Sequence, residues 1–125
     1  MVKVVLDTNV LLVPFQFHVD VFTEIDRLME GRAEPVLLSP CVEELKALAA
    51  GSGRDARAAK AALDMVERLK LNHTKAGGPA DDAIVEYALN EKAAVCTNDK
   101  ELRDKLREHG VRTIGLRDNS HLAFV

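Results

Sequence analysis

Acidic residues recur in this sequence at one kind of place, directly beyond short apolar runs. Asp7 follows Val2–Leu6, and Asp99 follows Ala93–Cys96 across Thr97-Asn98. Glu43 and Glu44 follow Pro35–Leu38 across Ser39-Pro40. Asp81 and Asp82 open the helical stretch that leads into the 93–96 run. If the runs are parallel strands, all of these carboxylates lie at the carboxyl-end rim of the sheet, where open α/β sheets bind ligands. Two carboxylates ~4 Å apart repel by about 4 kcal/mol at an effective dielectric of ~20. A cluster of them therefore calls for protons or cations. Oxygen-only ligands suit a hard ion, Mg²⁺ or Mn²⁺. Such an ion lowers the pKa of a bound water and steadies charge on a phosphoryl group. The chemistry implied is metal-dependent cleavage of a phosphodiester.

Each acid also has a plainer reading. Asp7 and Asp99 could cap the helices that follow them, and Asp81 and Asp82 could be first-turn acids that favour the helix dipole. Glu44 fits that reading least, because it lies beyond the first turn of a helix capped at Ser39. On a helical wheel Cys41, Val42, Leu45, Leu48 and Ala49 form the buried face. Glu44 sits at its margin and Glu43 nearly opposite. In the next acidic pair, Asp81 precedes Ile84 by three and Val85 by four, which puts it on the apolar face. Asp82 lies about 100° further round and could swing inward if Asp81 caps the helix.

The elements that would hold these acids alternate in type. Strands are expected at Val2–Leu6, Pro35–Leu38, Ala93–Cys96 and Val111–Leu116. Asn72–Lys75 and Leu122–Val125 are candidate extra strands. Helices are expected over His18–Glu30, from Ser39-Pro40 to about Ala50, over Asp55–Leu71, from Pro79 to about Glu91, and over Lys100–Glu108. Ser39 is the expected N-cap of the second helix, and Ser52 with Asp55 has capping-box spacing for the third. The alternation points to a single α/β domain over 1–125 with a mostly parallel sheet of four or five strands flanked by helices.

Composition bounds the function. The chain has 125 residues, 47% hydrophobic and 30% charged, which excludes a disordered protein. Twenty acids against 17 bases, a net charge of −3, argue against a protein whose main device is a basic nucleic-acid surface. No membrane span or signal peptide is expected, and two cysteines make no disulfide framework, so a cytoplasmic location is the expectation.

Taken together, the opening LDTN, CVEEL at 41–45, ADDAI at 80–84 and VCTND at 95–99 resemble the PIN-domain nucleases, over nearly the whole chain. The order and spacing of the motifs carry the resemblance, not any one of them. It implies a ribonuclease that uses Mg²⁺ or Mn²⁺, with Asp7, Glu44, Asp81 and Asp99 as catalytic metal ligands. Asn9 and Thr97 match positions that support the first and fourth acids, and Asp82 is a further supporting residue. The stretch PFQFHVDVFTEI at 14–25 is similar to single-domain archaeal PIN proteins related to nucleases of small-subunit ribosomal RNA processing. It is less similar to the VapC toxins. RNA is the implied substrate, and a homodimer, a ribosomal-processing partner or an antitoxin the implied associate. A non-catalytic scaffold that binds RNA or protein is the rival of a different class. A receiver domain would want a Lys after the last strand, where Gly115-Leu116-Arg117 stands. A haloacid-dehalogenase-type phosphatase would want a second acid where Asn9 stands.

Other residues carry less. His18, His73, His109 and His121 lack metal-ligand spacing. Cys41 and Cys96 read as small core residues. Lys100, Arg103, Lys105 and Arg107 form a mainly solvated helix face whose start lies near the acidic rim. Phe15, Phe17 and Phe22 read as core packing of the first helix, with a dimer surface as the alternative.

Overall fold

A strand with almost every position apolar has to be covered on both faces. Val4, Val5 and Leu6 are indeed shielded completely, in a strand that pairs in parallel with a neighbour on each side. The computed structural model describes residues 1–125. In chain order the elements are β1 (Val2–Leu6), α1 (Thr8–Phe17), α2 (Val21–Leu28), β2 (Ala33–Leu38), α3 (Ser39–Ala49), α4 (Arg54–Arg68), β3 (Asn72–Thr74), α5 (Ala80–Glu91), β4 (Ala94–Cys96), α6 (Lys100–Glu108), β5 (Thr113–Arg117) and β6 (His121–Phe124). They form one six-stranded sheet in the order β3-β2-β1-β4-β5-β6, parallel except for β6. Strand order reverses between β1 and β4, which makes the carboxyl ends of these two strands the switch point where a ligand cleft forms.

Side chains alternate across the sheet. Val4, Leu6, Leu37 and Cys96 join a core with α1, α2, α3 and α4. Val5, Val36, Leu38 and Val95 join a second core with α5 and α6. Asp7 and Asp99 leave from the ends of β1 and β4 in this doubly covered sheet, whereas Glu44 and Asp81 stand on α3 and α5. No helix is long and apolar enough to cross a membrane.

Several boundaries differ from the sequence reading. Six strands form because both candidate extras, within 72–74 and 121–124, join the sheet. The expected helix over 18–30 is the shorter α2, preceded by a separate helix, α1. His18, with φ of +57°, ends α1, and Asp20 caps α2 by accepting the Thr23 N–H at 3.1 Å. Helix α4 starts after Gly53, whose φ of +92° favours glycine, so the Ser52–Asp55 capping box does not form. Pro79 is the N-cap of α5, outside the helix. Leu48 is 39% exposed and does not belong to the buried face of α3. Phe22 packs on the core as expected, whereas Phe15 and Phe17 are exposed.

Candidate active site

Asp7 leaves β1 at the middle of the sheet and is only 6% exposed. Its backbone N–H bonds to the Cys96 carbonyl of β4 at 3.0 Å, so the residue is held by the strand register itself. Its carboxylate accepts three hydrogen bonds. The Thr8 N–H reaches Oδ1 at 2.8 Å, while the Thr97 hydroxyl and the Asn9 amide reach Oδ2 at 2.7 Å and 3.3 Å. Thr97 is fully buried, and its Oγ1 also accepts the Asp99 N–H at 3.0 Å. One hydroxyl thus bridges the first and last acids. Asp99 caps α6 by accepting the Leu102 N–H at 3.1 Å. Here the cap reading is correct, and it leaves the residue at the rim.

Three further residues take part that sequence reasoning passed over. Asn98 donates its backbone N–H to Asn9 Oδ1 at 3.2 Å and accepts the Leu116 N–H at 2.9 Å, tying the loop after β4 to α1 and β5. Thr8 Oγ1 lies 3.4 Å from Glu44 Oε2 and 3.3 Å from the Cys41 carbonyl, which ties the end of β1 to α3. Ser39, expected as the cap of its own helix, is the first helical residue and makes no cap. Its hydroxyl bonds instead to both backbone groups of Ala76. Only the presence of short polar residues beside the acids could have pointed to these three.

The carboxylates sense one another. Burial is the main cause that raises the pKa of Asp7; the hydrogen bonds from Thr97 and Thr8 oppose it, and the charges of Asp81 and Asp99 add to it. Glu44 is raised by burial and by the charges of Asp7 and Asp81, against the Thr8 hydrogen bond. Asp81 is raised by burial and then by Asp99, while Lys105 pulls the other way. Asp81 is half-buried and Asp82 exposed, whereas Glu43 and Glu44 on α3 are both exposed. Glu44 differs from Glu43 by its contact with Thr8 and not by facing inward. All four expected ligands therefore share one electrostatic neighbourhood, although their elements are far apart in sequence.

A divalent cation would relieve this mutual repulsion, and the oxygen-only donor set fits a hard ion. No group of three or more Asp, Glu, His or Cys side chains is closed around a single point. An Mg²⁺-type ion needs no such closed set, because it keeps several waters and takes one or two carboxylates from a protein. No buried side-chain polar atom lacks a partner, so a cation here would be drawn by charge and not by an unpaired buried group. The buried thiols are not rival nucleophiles: burial pushes Cys41 up to about 12 and Cys96 up as well.

A doubly covered, mostly parallel sheet with acids at its switch point defines the class, and the chain belongs to the PIN-like domain family, whose model matches residues 4–119. Ribonuclease VapC4 of Methanocaldococcus jannaschii is 37% identical over 125 residues, covering 97% of this chain and 95% of that protein. Ribonuclease VapC9 of Archaeoglobus fulgidus is 31% identical over 109 residues, covering 86% and 77%. The PIN domain endonuclease Utp24 superposes with a TM-score of 0.81 at 23% identity, over 98% of this chain and 90% of that one, a likeness of fold.

Proposed function

We propose that the chain is a ribonuclease that hydrolyses RNA phosphodiester bonds at the rim of Asp7, Glu44, Asp81 and Asp99, with Mg²⁺ or Mn²⁺ as cofactor. The observation that carries this reading is the convergence of these carboxylates at the switch point, around an Asp7 held by Thr8, Thr97 and Asn9. Beyond burial, Asp81 and Asp99 raise the pKa of Asp7, Asp7 and Asp81 raise that of Glu44, and Asp99 raises that of Asp81. A fold has no structural use for such repulsion, and neighbouring groups that perturb one another in a cleft mark functional sites. Relatives named as ribonucleases support the same direction.

When bound, the ion supplies an activated water and neutralises charge on the phosphoryl group. The protein's part is placement. Asp7 is held by Thr8, Thr97 and Asn9, so both its oxygens have fixed directions. Asp99 is held at its backbone by Thr97 and at its side chain by the α6 cap. Asp81 and Glu44 complete the rim from α5 and α3, the first half-buried and the second steadied by Thr8. Asn9 and Thr97 are positioning residues, and the exposed Asp82 adds negative charge near Asp81. Lys105 is the cation whose charge reaches Asp81, and it would face the phosphate backbone of a bound strand. With 17 basic against 20 acidic residues, electrostatic capture of RNA is weak, and a partner would have to raise affinity.

Two biological settings use the same chemistry. The sequence relatives named VapC favour a toxin-type ribonuclease with an antitoxin partner. Processing of small-subunit ribosomal RNA is the other setting, for which the similarity at 14–25 speaks. The test of the chemistry is cleavage of structured and unstructured RNAs with and without Mn²⁺, using Asp99→Asn as control. Cleavage that needs Mn²⁺ and is lost in the variant is expected. Cleavage at the parent rate in Asp99→Asn would mean a contaminant or a site elsewhere, and no cleavage by the parent on any RNA would leave the scaffold reading standing.

A further inference from the structure

Ser39 and Ala76 are far apart in sequence and meet at the rim. The Ser39 hydroxyl donates to the Ala76 carbonyl at 3.1 Å and accepts the Ala76 N–H at 3.0 Å. One side chain thus satisfies both backbone groups of a single residue. Ser39 begins α3, which carries Glu44. Ala76 lies in the connection between β3 and α5, whose first turn carries Asp81. The connection continues through Gly77, Gly78 and Pro79. Neither glycine would meet a neighbour within 4 Å if it carried a Cβ, so packing does not fix these two residues, although Ala76 before them and Ala80 after them pack on the second core. Gly78 has φ of +77°, a conformation that costs a glycine little to leave. Pro79 then fixes where α5 begins. A shallow cleft of about 570 Å³ separates Glu44 and Pro40 on one wall from Gly78, Pro79 and Ala80 on the other, and Ser39 and Ala76 both border it.

We propose that Ser39 is a positioning residue that locks the start of α5 to the start of α3 and thereby sets Asp81 relative to Glu44. The proposal rests on the reading of this rim as the ribonuclease site. A serine before a proline is ordinarily spent on capping its own helix. Here the helix is left without a side-chain cap, and the hydroxyl goes to the loop that delivers the third acid. A segment of two adjacent glycines would otherwise keep enough freedom to move Asp81 by an ångström or so, and misplacement on the order of 1 Å can cost about a hundredfold in rate.

The test compares the full-length parent with Ser39→Ala and Ser39→Thr, the second of which keeps the hydroxyl. Amide hydrogen exchange is followed at 76–81 and at 97–99, and Mn²⁺ affinity and RNA cleavage are measured on the same samples. Ser39→Ala should exchange about tenfold faster at 76–81 only, bind Mn²⁺ more weakly by about tenfold, and lose kcat with little change in KM for RNA. Ser39→Thr should restore all three. In an Asp81→Asn background, Ser39→Ala should have no further effect on Mn²⁺ affinity, the signature of coupled residues. Unchanged exchange at 76–81 would overturn the proposal. So would faster exchange there with parental Mn²⁺ affinity and cleavage. A parent that neither binds Mn²⁺ nor cleaves RNA would instead refute the ribonuclease reading, and exchange would still decide whether Ser39 holds the loop.

Discussion

Asp81 and Asp82 are adjacent, chemically identical and differently placed. Asp81 is half-buried within the fields of Asp99 and Lys105, and Asp82 is exposed. Asp81→Asn should therefore lower Mn²⁺-dependent cleavage about a hundredfold, or ~2.7 kcal/mol, while Asp82→Asn stays within about threefold. The reverse ranking, in two folded variants at saturating Mn²⁺, would show that the wrong carboxylate has been chosen. Thr97 gives a second prediction, because its buried hydroxyl joins Asp7 to the Asp99 backbone. Thr97→Val should lose about 1–3 kcal/mol of stability by leaving polar groups unpaired, and most of the activity. Thr97→Ser should recover both; a valine variant with parental melting temperature and rate would remove Thr97 from the account. The acids were legible in sequence because each follows an apolar run or opens a helix. Thr8, Ser39 and Asn98 were not, because their partners, Glu44, Ala76 and Leu116, are brought to them only by folding.

Among the elements, β1, β2 and β4 could be read directly, since fully buried parallel strands are continuous apolar runs. Helix α1 could not, although it carries Asp7 at its N-cap. Its sequence, TNVLLVPFQF, is apolar on most sides, so no helical period stands out, and Pro14 within it signals a break. Ser39-Pro40 was legible as a helix start but misleading about the hydroxyl, which a distant backbone claims. Strand β6 was a weak signal because it is short and lies at an edge. The structure shows what secures it. Glu24 accepts the Leu122 N–H at 3.0 Å, and Arg27 donates to the Leu122 carbonyl, also at 3.0 Å. This pair covers backbone groups that an edge strand would otherwise offer to another chain. The double variant Glu24→Ala, Arg27→Ala should melt at a lower temperature and self-associate as its concentration rises in sedimentation velocity. A variant that sediments and melts like the parent would show that the pair is ornamental.

The molecule as a whole stores repulsion at one rim, and its stability should report that. Asp7, Glu44 and Asp81 have raised pKa values, so the folded protein holds protons that the unfolded chain has released. Acidification through these raised folded values should therefore stabilise the metal-free protein until the ordinary carboxylate range, about pH 4, is reached. Asp20, lowered by hydrogen bonds from Thr23, and Glu24, lowered by Arg27 and the Leu122 N–H, act below that range. Their stabilisation is present above the ordinary pKa and is lost as pH falls through their folded values. A melting temperature that fell steadily from pH 7 downwards would contradict the raised set. The same repulsion leads to the most direct test of the central claim, that the rim holds a divalent cation. Mn²⁺ should raise the parent's melting temperature by roughly 10 °C at about a hundredfold excess over Kd, since a ligand of the native state alone adds about 2.7 kcal/mol there. In Asp7→Asn, compared with its own metal-free baseline, the rise should be largely gone. An equal rise in both proteins, or none in either, would mean that this rim is not a metal centre.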